Sequence, residues 1–217
     1  MQLSIAQRVV LWIIPLIFAI TVHEVSHGWI ANKLGDPTAK LQGRITLNPL
    51  KHIDPLGTII IPGILIFLGG IVFGYAKPVP VDFRNLRNMP RDMALVALAG
   101  PIANLIMALL WALIVKLSLL TFAGESYIGN VIAYMGKVGI AINLSLMILN
   151  LIPIPPLDGS RVVASFLRGK AAIYYARIEP YGFFILLALL FLGVLSHIII
   201  PFFNFFANII YQLFGLF

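Results

Sequence analysis

The sequence contains no cysteine. This absence excludes disulfide bonds, thiolate metal ligands and a cysteine nucleophile. Charged residues are also scarce: they make up 11% of the 217 residues, whereas an average soluble domain has about 25%. The composition therefore excludes an ordinary soluble domain.

Hydrophobic residues are abundant instead, at 60% of the chain, and the mean hydropathy is +1.00. Long apolar runs joined by short polar loops are typical of an all-α, multi-pass membrane protein. The formal net charge is +7, but the basic residues lie in the loops, where they set membrane topology and do not form a phosphate-binding face. We therefore expect contact with a lipid bilayer and no nucleic-acid partner.

The apolar runs predict a single transmembrane domain over residues 1–217. The last run, residues 202–217, either spans the bilayer or lies at its interface. The predicted spans cover residues of about 8–32, 92–118, 128–151 and 181–200.

A further apolar run, residues 56–74, is interrupted by Pro62-Gly63 and by Gly69-Gly70. If this run crossed the bilayer, the basic loops before and after it would lie on opposite sides, against the preference of arginine and lysine for the cytoplasm. A re-entrant segment keeps both loops cytoplasmic, and broken backbone is tolerated at membrane depth where protein buries it. We therefore predict that residues 56–74 are re-entrant. This topology suits the inner membrane of a prokaryotic cell.

One motif within the first span predicts chemistry: His23-Glu24-Val25-Ser26-His27. Residues four apart lie on one face of a helix, so both imidazoles can bind a single zinc ion. Glu24 is rotated by about 100° from His23 and stands beside the metal, where its carboxylate can act as a general base. The alternative is that the two histidines only form hydrogen bonds between helices. Ionisable groups inside a membrane helix, however, usually have a function.

A catalytic zinc site needs a third protein ligand, and its fourth position holds water. Asp158 is a candidate because Pro153, Pro155 and Pro156 break the helix before it, and broken backbone in a membrane usually lines a functional cavity. Spacing alone does not choose between Asp158 and Asp54. The acidic residues of the chain are Asp36, Asp54, Asp82, Asp92, Glu125, Asp158 and Glu179.

Three pieces of the sequence, in this order, are similar to the site-2 protease family of intramembrane zinc metalloproteases in its compact form without a PDZ domain. They are the HEVSH motif, the segment Gly100-Pro101-Ile102-Ala103-Asn104, and residues 150–159. The resemblance implies one zinc ion per chain, held by His23, His27 and Asp158, with Glu24 as general base. It also implies that the substrate is a transmembrane protein. Asn150 would then contact the substrate backbone or the developing oxyanion.

The chemistry of asparagine fits that role for Asn150, because an amide can donate to a developing oxyanion; capping of the broken backbone near Pro153 is the alternative. Residues 43–54 resemble the family's membrane-associated β-hairpin, and the partial alternation of residues 40–47 is compatible with a strand. His52 and Asp54 either brace this loop or line the access to the site. We expect Asn104 to form a hydrogen bond between helices, beside the close packing that Gly100 allows.

Two other functions are compatible with buried histidine and aspartate residues. A metal or ion transporter would need polar residues through to the far side of the membrane, but the outer halves of the predicted spans are apolar. A catalytically inactive relative would act as a membrane binding protein, but the HEVSH motif and Asp158 are both intact. The sequence therefore favours a zinc-dependent intramembrane endopeptidase whose active site is open to the cytoplasm.

Overall fold

The computed structural model describes residues 4–54, 77–122 and 126–216, and the predicted re-entrant segment at 56–74 lies outside them. All regular secondary structure in the described residues is helical, which confirms the all-α part of the predicted fold class. Five helical segments are long and apolar enough to cross a bilayer, so the chain is a multi-pass membrane protein. They are Ala6–Leu34, Met89–Phe122, Tyr127–Leu151, Lys170–Phe191 and Val194–Phe214.

The helices are numbered in chain order, and short 3₁₀ turns lie between some of them. The α-helices are α1 (Ile5–Leu34), α2 (Thr38–Leu41), α3 (Met89–Phe122), α4 (Tyr127–Leu151), α5 (Asp158–Phe166), α6 (Lys170–Ala176), α7 (Gly182–Phe191) and α8 (Val194–Phe214). Helix α3 is central: it packs against α1, α4, α5 and α8.

Helix α1 has clear start and stop signals. Ser4 and Gln7 form a capping box at its start, in which each side chain accepts a hydrogen bond from the other residue's backbone N–H. Gly35 ends the helix with a φ of 118°, a left-handed conformation that glycine adopts without steric cost. The helix has 30 residues, which is long enough to cross the membrane, and it carries the HEVSH motif in its second half.

Small residues let α3 and α4 approach closely. A Cβ atom at Gly139 would lie 2.5 Å from the Trp111 ring, so α4 passes directly over that side chain. Close approach at small residues is the usual way in which membrane helices gain packing energy, since lipid removes the hydrophobic drive between them. The main buried cluster lies between these helices and α8; it includes Ala108, Trp111, Ala112, Val115, Ile140, Leu144, Met147 and Ile210.

The predicted β-hairpin at residues 43–54 is wrong: no strand occurs in residues 4–54, 77–122 or 126–216. The chain there turns at Gly43, whose φ is +63°, and then forms a 3₁₀ turn over Pro49–Lys51. The Asn48 side chain caps this turn by accepting from the Leu50 N–H, and His52 Nε2 donates to the Thr46 carbonyl. These local bonds use the backbone groups that strand pairing would need.

The span predicted at residues 181–200 has different limits in the structure. Helix α7 ends at Phe191, and α8 begins at Val194 and continues to Phe214. Gly193, with a φ of 72°, separates them. Hydropathy continues through this break, so the apolar pattern did not reveal it. Residues 202–214 thus belong to the longer helix α8, which has the length and composition of a span.

Asp36, just after α1, ties the first loop to the segment before α3. Its buried carboxylate accepts hydrogen bonds from Thr38, from the Asp82 N–H and from the Asn85 amide. Burial alone would raise the pKa of Asp36, but the hydrogen bonds from Asn85, Thr38 and Asp82 outweigh it and hold the pKa below 3.8. Asp36 is therefore a structural residue and is not available as a metal ligand.

We predict that Asp36→Asn destabilises the fold, because its NH₂ group would face donors that now meet a carboxylate oxygen. The cost of one such unsatisfied buried group is about 1–3 kcal/mol. Thermal unfolding in detergent at neutral pH should show a lower midpoint than wild type. The matched variant is Asp82→Asn, which alters a carboxylate paired with the exposed Arg84. This variant should lower the unfolding midpoint far less than Asp36→Asn does.

The pH dependence follows from the lowered pKa. An aspartate with a depressed folded-state pKa stabilises the protein above about pH 4 and loses that contribution as the pH falls through the folded-state pKa. Wild type should therefore lose stability as the pH falls from about 4 through the folded-state pKa of Asp36. Asp36→Asn should lose less stability over the same pH range. Equal acid sensitivity of the two proteins would contradict the assigned role.

Candidate metal centre

The side chains of His23, His27 and Asp158 converge on one point. The two Nε2 atoms lie 3.1 Å apart, and Asp158 Oδ2 lies 3.2 Å from His23 Nε2 and 3.4 Å from His27 Nε2. Both histidines are buried, with 7% and 9% of their surface exposed. In the described residues these three form the group of histidine and acidic side chains that could hold a metal ion.

The separations between these atoms fit zinc. Ligands at about 2.0–2.1 Å in a tetrahedral site lie about 3.3 Å from each other. The three observed distances, 3.1, 3.2 and 3.4 Å, are close to that value. Two imidazoles with one carboxylate leave the fourth position for water, which is the composition of a catalytic and not of a structural zinc site.

The hydrogen bonds behind the imidazoles determine which nitrogen faces the centre. His27 Nδ1 lies 2.7 Å from the Val96 carbonyl, and His23 Nδ1 lies 2.6 Å from Asn104 Oδ1. Carbonyl oxygens only accept, so both Nδ1 atoms carry the hydrogen and both Nε2 atoms present a lone pair. Asp158 Oδ2 is buried and has no hydrogen-bond donor. A metal ion among these three electron-pair donors would remove the repulsion between them, so the group could hold one.

A chain of amides fixes the orientation of His23. The Asn143 side chain donates to the Gly139 carbonyl at 2.9 Å, so its oxygen faces Asn104 and accepts from it at 2.9 Å. Asn104 also donates to the Ala19 carbonyl, which turns its own oxygen toward His23. Outer hydrogen bonds of this kind hold metal-binding histidines in one tautomer and one orientation. The expected helix-to-helix bond of Asn104 is present, and Asn143 extends it.

Asp158 reaches the centre because the chain breaks between α4 and α5. Residues 152–157 are non-helical, and Asp158 is the first residue of α5. Gly159 lets α5 start directly against the end of α4, because a Cβ atom there would collide with the Leu151 carbonyl. The Tyr175 hydroxyl donates to the Pro153 carbonyl at 2.8 Å and ties the break to α6. The break therefore places the Asp158 carboxylate beside the two imidazoles.

Glu24 lies next to the centre without joining it. It is half-buried, and its Oε2 accepts a hydrogen bond of 2.8 Å from the Val79 N–H. Its position on α1, one residue after His23, places its carboxylate around the helix from the two ligands, as the spacing predicts. A carboxylate beside a metal, held by one backbone bond, is suited to take up and release a proton.

Gly100 of α3 bounds the space in front of the imidazoles. A Cβ atom there would lie 2.5 Å from His27 Nε2 and 2.6 Å from His23 Nε2. A methyl group at this position would therefore occupy the place where the lone pairs meet. The sequence predicted close packing at Gly100 but did not predict contact with the metal ligands.

We predict that Gly100→Ala lowers zinc affinity by at least about 10–100-fold, the range seen when metal ligands are disturbed from outside. Competition against a chelator of known affinity measures this. Ile102→Ala, on the exposed face of the same helix, is the control and should bind zinc like wild type. Full zinc affinity in Gly100→Ala would show that the ion lies elsewhere.

Asn104→Leu tests the amide chain. Leucine removes the acceptor of the His23 Nδ1–H and leaves Asn143 without its donor. We expect zinc affinity to fall by about 10–100-fold. The zinc dissociation rate of the variant measures this loss of affinity. The control is Asn204→Leu, the same substitution at an exposed position of α8. Unchanged dissociation would show that the chain does not orient His23.

The other predicted site residues lie outside the convergence of the three ligands. The Asn150 amide donates to the Leu146 carbonyl of its own helix at 3.0 Å. His52 is buried, donates to the Thr46 carbonyl and accepts at its own carbonyl from the Lys77 N–H, which is the contact pattern of a loop brace. Asp54 lies in the loop after His52 and does not join the metal-binding group.

Comparisons with known proteins agree with this geometry. The model of peptidase family M50 matches residues 11–138 and 120–193. A Bacillus subtilis (strain 168) protein named "Putative zinc metalloprotease YwhC" is 36% identical over 204 residues, which cover 94% of this chain and 90% of that protein.

Two mycobacterial proteins, each named "Putative zinc metalloprotease Rip2", are also similar. The one from Mycolicibacterium smegmatis is 31% identical over 175 residues, covering 80% of this chain and 64% of that protein. The one from Mycobacterium tuberculosis (H37Rv) is 29% identical over 206 residues, covering 94% and 71%. No solved structure gives a significant match. The family match extends over the helices that carry all three converging side chains, and the chain therefore belongs to peptidase family M50, the site-2 protease family of metalloproteases.

Proposed function

We propose that the protein is a zinc-dependent endopeptidase that cleaves transmembrane segments of other membrane proteins within the bilayer. The observation that carries this proposal is the convergence of His23, His27 and Asp158 inside a bundle of membrane-spanning helices. A segment in the same bilayer can reach a site among membrane-spanning helices by lateral movement.

Bound zinc would supply a Lewis acid that polarises the scissile carbonyl and lowers the pKa of a water molecule. Glu24 accepts a proton from that water as the oxygen adds to the carbonyl carbon. It then gives the proton to the amide nitrogen as the C–N bond breaks, so that one carboxylic acid and one amine are formed and Glu24 is regenerated. The Nδ1–H groups of His23 and His27 donate to carbonyl oxygens, which leaves the Nε2 atoms to bind the metal.

The substrate helix must unwind at the cleavage point, because a helix holds its carbonyls in intrachain hydrogen bonds. We assign Asn150 as the residue that contacts the exposed substrate backbone. It lies two residues before the break that delivers Asp158, and its amide group can exchange its bond to the Leu146 carbonyl for one to the substrate. Such a donor contributes about 2.7–4 kcal/mol when it meets a developing oxyanion.

We infer that the protein lies in the inner membrane of a prokaryotic cell and that its site opens to the cytoplasm. The support is the clustering of basic residues in the loops near the HEVSH end of α1 and near Asp158, since arginine and lysine favour the cytoplasmic side. Those residues are Lys33, Lys40, Arg44, Lys51, Lys77, Arg84, Arg87, Arg91, Arg161, Arg168, Lys170 and Arg177.

The test is cleavage of a single-span model protein by the purified enzyme in lipid vesicles. We expect one zinc per chain, cleavage inside the span, loss of cleavage on chelation and recovery with added zinc. An unfolded soluble protein of equal length should not be cut. Zinc binding without cleavage of any transmembrane substrate would instead indicate an inactive relative, and zinc movement across the vesicle membrane would indicate a transporter.

A further inference from the structure

A short segment of the chain, Lys77-Pro78-Val79-Pro80-Val81, lies against the general base and has no assigned role. It has no helical or turn structure, and its Val79 N–H donates to Glu24 Oε2 at 2.8 Å. Val79 is buried, and its side chain covers Gly28, where an added Cβ would lie 2.8 Å from Val79 Cγ1. The segment is thus seated on α1 about one turn beyond Glu24. It is called the Val79 segment below.

The prolines determine which backbone groups of the Val79 segment can donate. Pro78 and Pro80 have no amide hydrogen, so the available donors are the N–H groups of residues 77, 79 and 81. The Lys77 N–H is used by the His52 carbonyl at 3.0 Å, and the Val79 N–H is used by Glu24. The Val79 amide is therefore the one N–H between the two prolines, and it points at the catalytic carboxylate.

Arg44 holds this segment in place. Its guanidinium donates to the Lys77 carbonyl at 3.0 Å and to the Pro78 carbonyl at 3.2 Å, the two residues immediately before Val79. Arg44 is 8% exposed, which is rare for an arginine unless its hydrogen bonds are used. The Pro78 carbonyl lies in the same peptide plane as the Val79 N–H, so the bond from Arg44 to that carbonyl fixes the direction of the N–H.

We propose that the Val79 amide and Arg44 are positioning groups for Glu24, a proposal that rests on the proposed peptidase function. The Val79 N–H holds Oε2, so Oε1 is the oxygen that takes the proton from water and returns it to the leaving amine. Arg44 acts one step further out, by holding the carbonyls on either side of the Pro78 nitrogen and so fixing the amide of Val79. Neither group touches the metal ligands in the described structure.

The expected effect is on the rate of the chemical step and not on binding. A catalytic group displaced by about 1 Å can cost about 100-fold in rate. Loss of the Arg44 guanidinium or of the Val79 amide hydrogen should therefore lower kcat by about 10–100-fold. Zinc content and KM should stay within about twofold of wild type, because the ligands and the substrate contacts are unchanged.

Two matched pairs of variants test this. Val79→Ala removes the side chain but keeps the N–H, whereas Val79→Pro removes the N–H; only the second should lose kcat. Arg44→Ala should lose kcat, and millimolar guanidinium should restore part of it, whereas Arg91→Ala, at an exposed arginine, should behave like wild type. Wild-type kcat in both Val79→Pro and Arg44→Ala would overturn the proposal, and so would loss of zinc in both.

A second measurement reports the contact without any substrate. Hydrogen exchange at the Val79 amide should be slow in wild type and in Arg91→Ala, and faster in Glu24→Ala and in Arg44→Ala. Equal exchange in all four proteins would overturn the proposal. If wild type fails to cleave any transmembrane substrate, the proposed function fails, but the exchange pattern at Val79 still decides whether Arg44 and Glu24 are coupled through this amide.

Discussion

Glu24→Gln should lower kcat by at least about 10²–10⁴-fold while the protein keeps its zinc. Glutamine has the size of glutamate, and its amide oxygen can still accept the Val79 N–H, so the loop contact survives. What it cannot do is accept a proton from water and return it to the leaving amine. General acid–base catalysis contributes about 10²–10⁴-fold, and this is the part that is lost.

The control for Glu24→Gln is Glu179→Gln, which makes the same chemical change at an exposed residue paired with Arg161. This variant should cleave like wild type. Cleavage rates of the model transmembrane protein, divided by zinc content, compare the two variants directly. Full activity in a Glu24→Gln protein that still holds zinc would assign the base to another residue.

Asp158→Ala should lose both zinc and cleavage. Asp158 Oδ2 lies 3.2 and 3.4 Å from the two Nε2 atoms, and without it only two imidazoles remain to hold the ion. A catalytic zinc site has three protein ligands, so we expect the purified variant to contain far less than one zinc per chain. His23→Ala should give the same result, because it removes one of the remaining imidazoles.

The matched control for Asp158→Ala is Asp82→Ala, which removes a carboxylate bound to Arg84 outside the centre. Metal analysis and circular dichroism of both variants separate loss of zinc from loss of the fold. If Asp158→Ala kept a full zinc complement with wild-type affinity, a different third ligand would hold the ion.

The sequence alone could place His23, Glu24 and His27 relative to one another because helical spacing is local. Once residues 23–27 are helical, the faces on which His23, Glu24 and His27 lie follow from the 3.6-residue repeat. Asp158 was harder, since spacing alone did not separate it from Asp54. The structure places Asp158 beside the two imidazoles, through the break at residues 152–157 and through Gly159, which lets α5 begin against the end of α4.

The contacts that the sequence missed are all long-range. Asn143 reads as one polar residue in an apolar span, and nothing in its neighbours shows that it bonds Asn104 in another helix. The interaction of Gly100 with the imidazoles depends on how closely α3 approaches α1. Arg44 looked like one more basic residue of a cytoplasmic loop, yet it is buried against the Lys77 and Pro78 carbonyls.

The incorrect β-hairpin and the shifted span have a common cause. Alternation in residues 40–47 and hydropathy in residues 181–200 are both coarse patterns, and local backbone chemistry overrides them. Gly43 and Gly193 adopt positive φ values at which the chain turns, and the Asn48 and His52 side chains bind the backbone that a strand would need. Patterns of hydrophobicity identified the membrane class but not these turning points.

The central claim is that two imidazoles and one carboxylate hold a single zinc ion inside the membrane domain. X-ray absorption at the zinc edge, on the purified protein in detergent, tests it most directly. We expect one zinc per chain with two imidazole nitrogens and the remaining ligands oxygen, at about 2.0–2.2 Å. A spectrum with fewer than two imidazoles, or a protein that takes up no zinc at all, would contradict it.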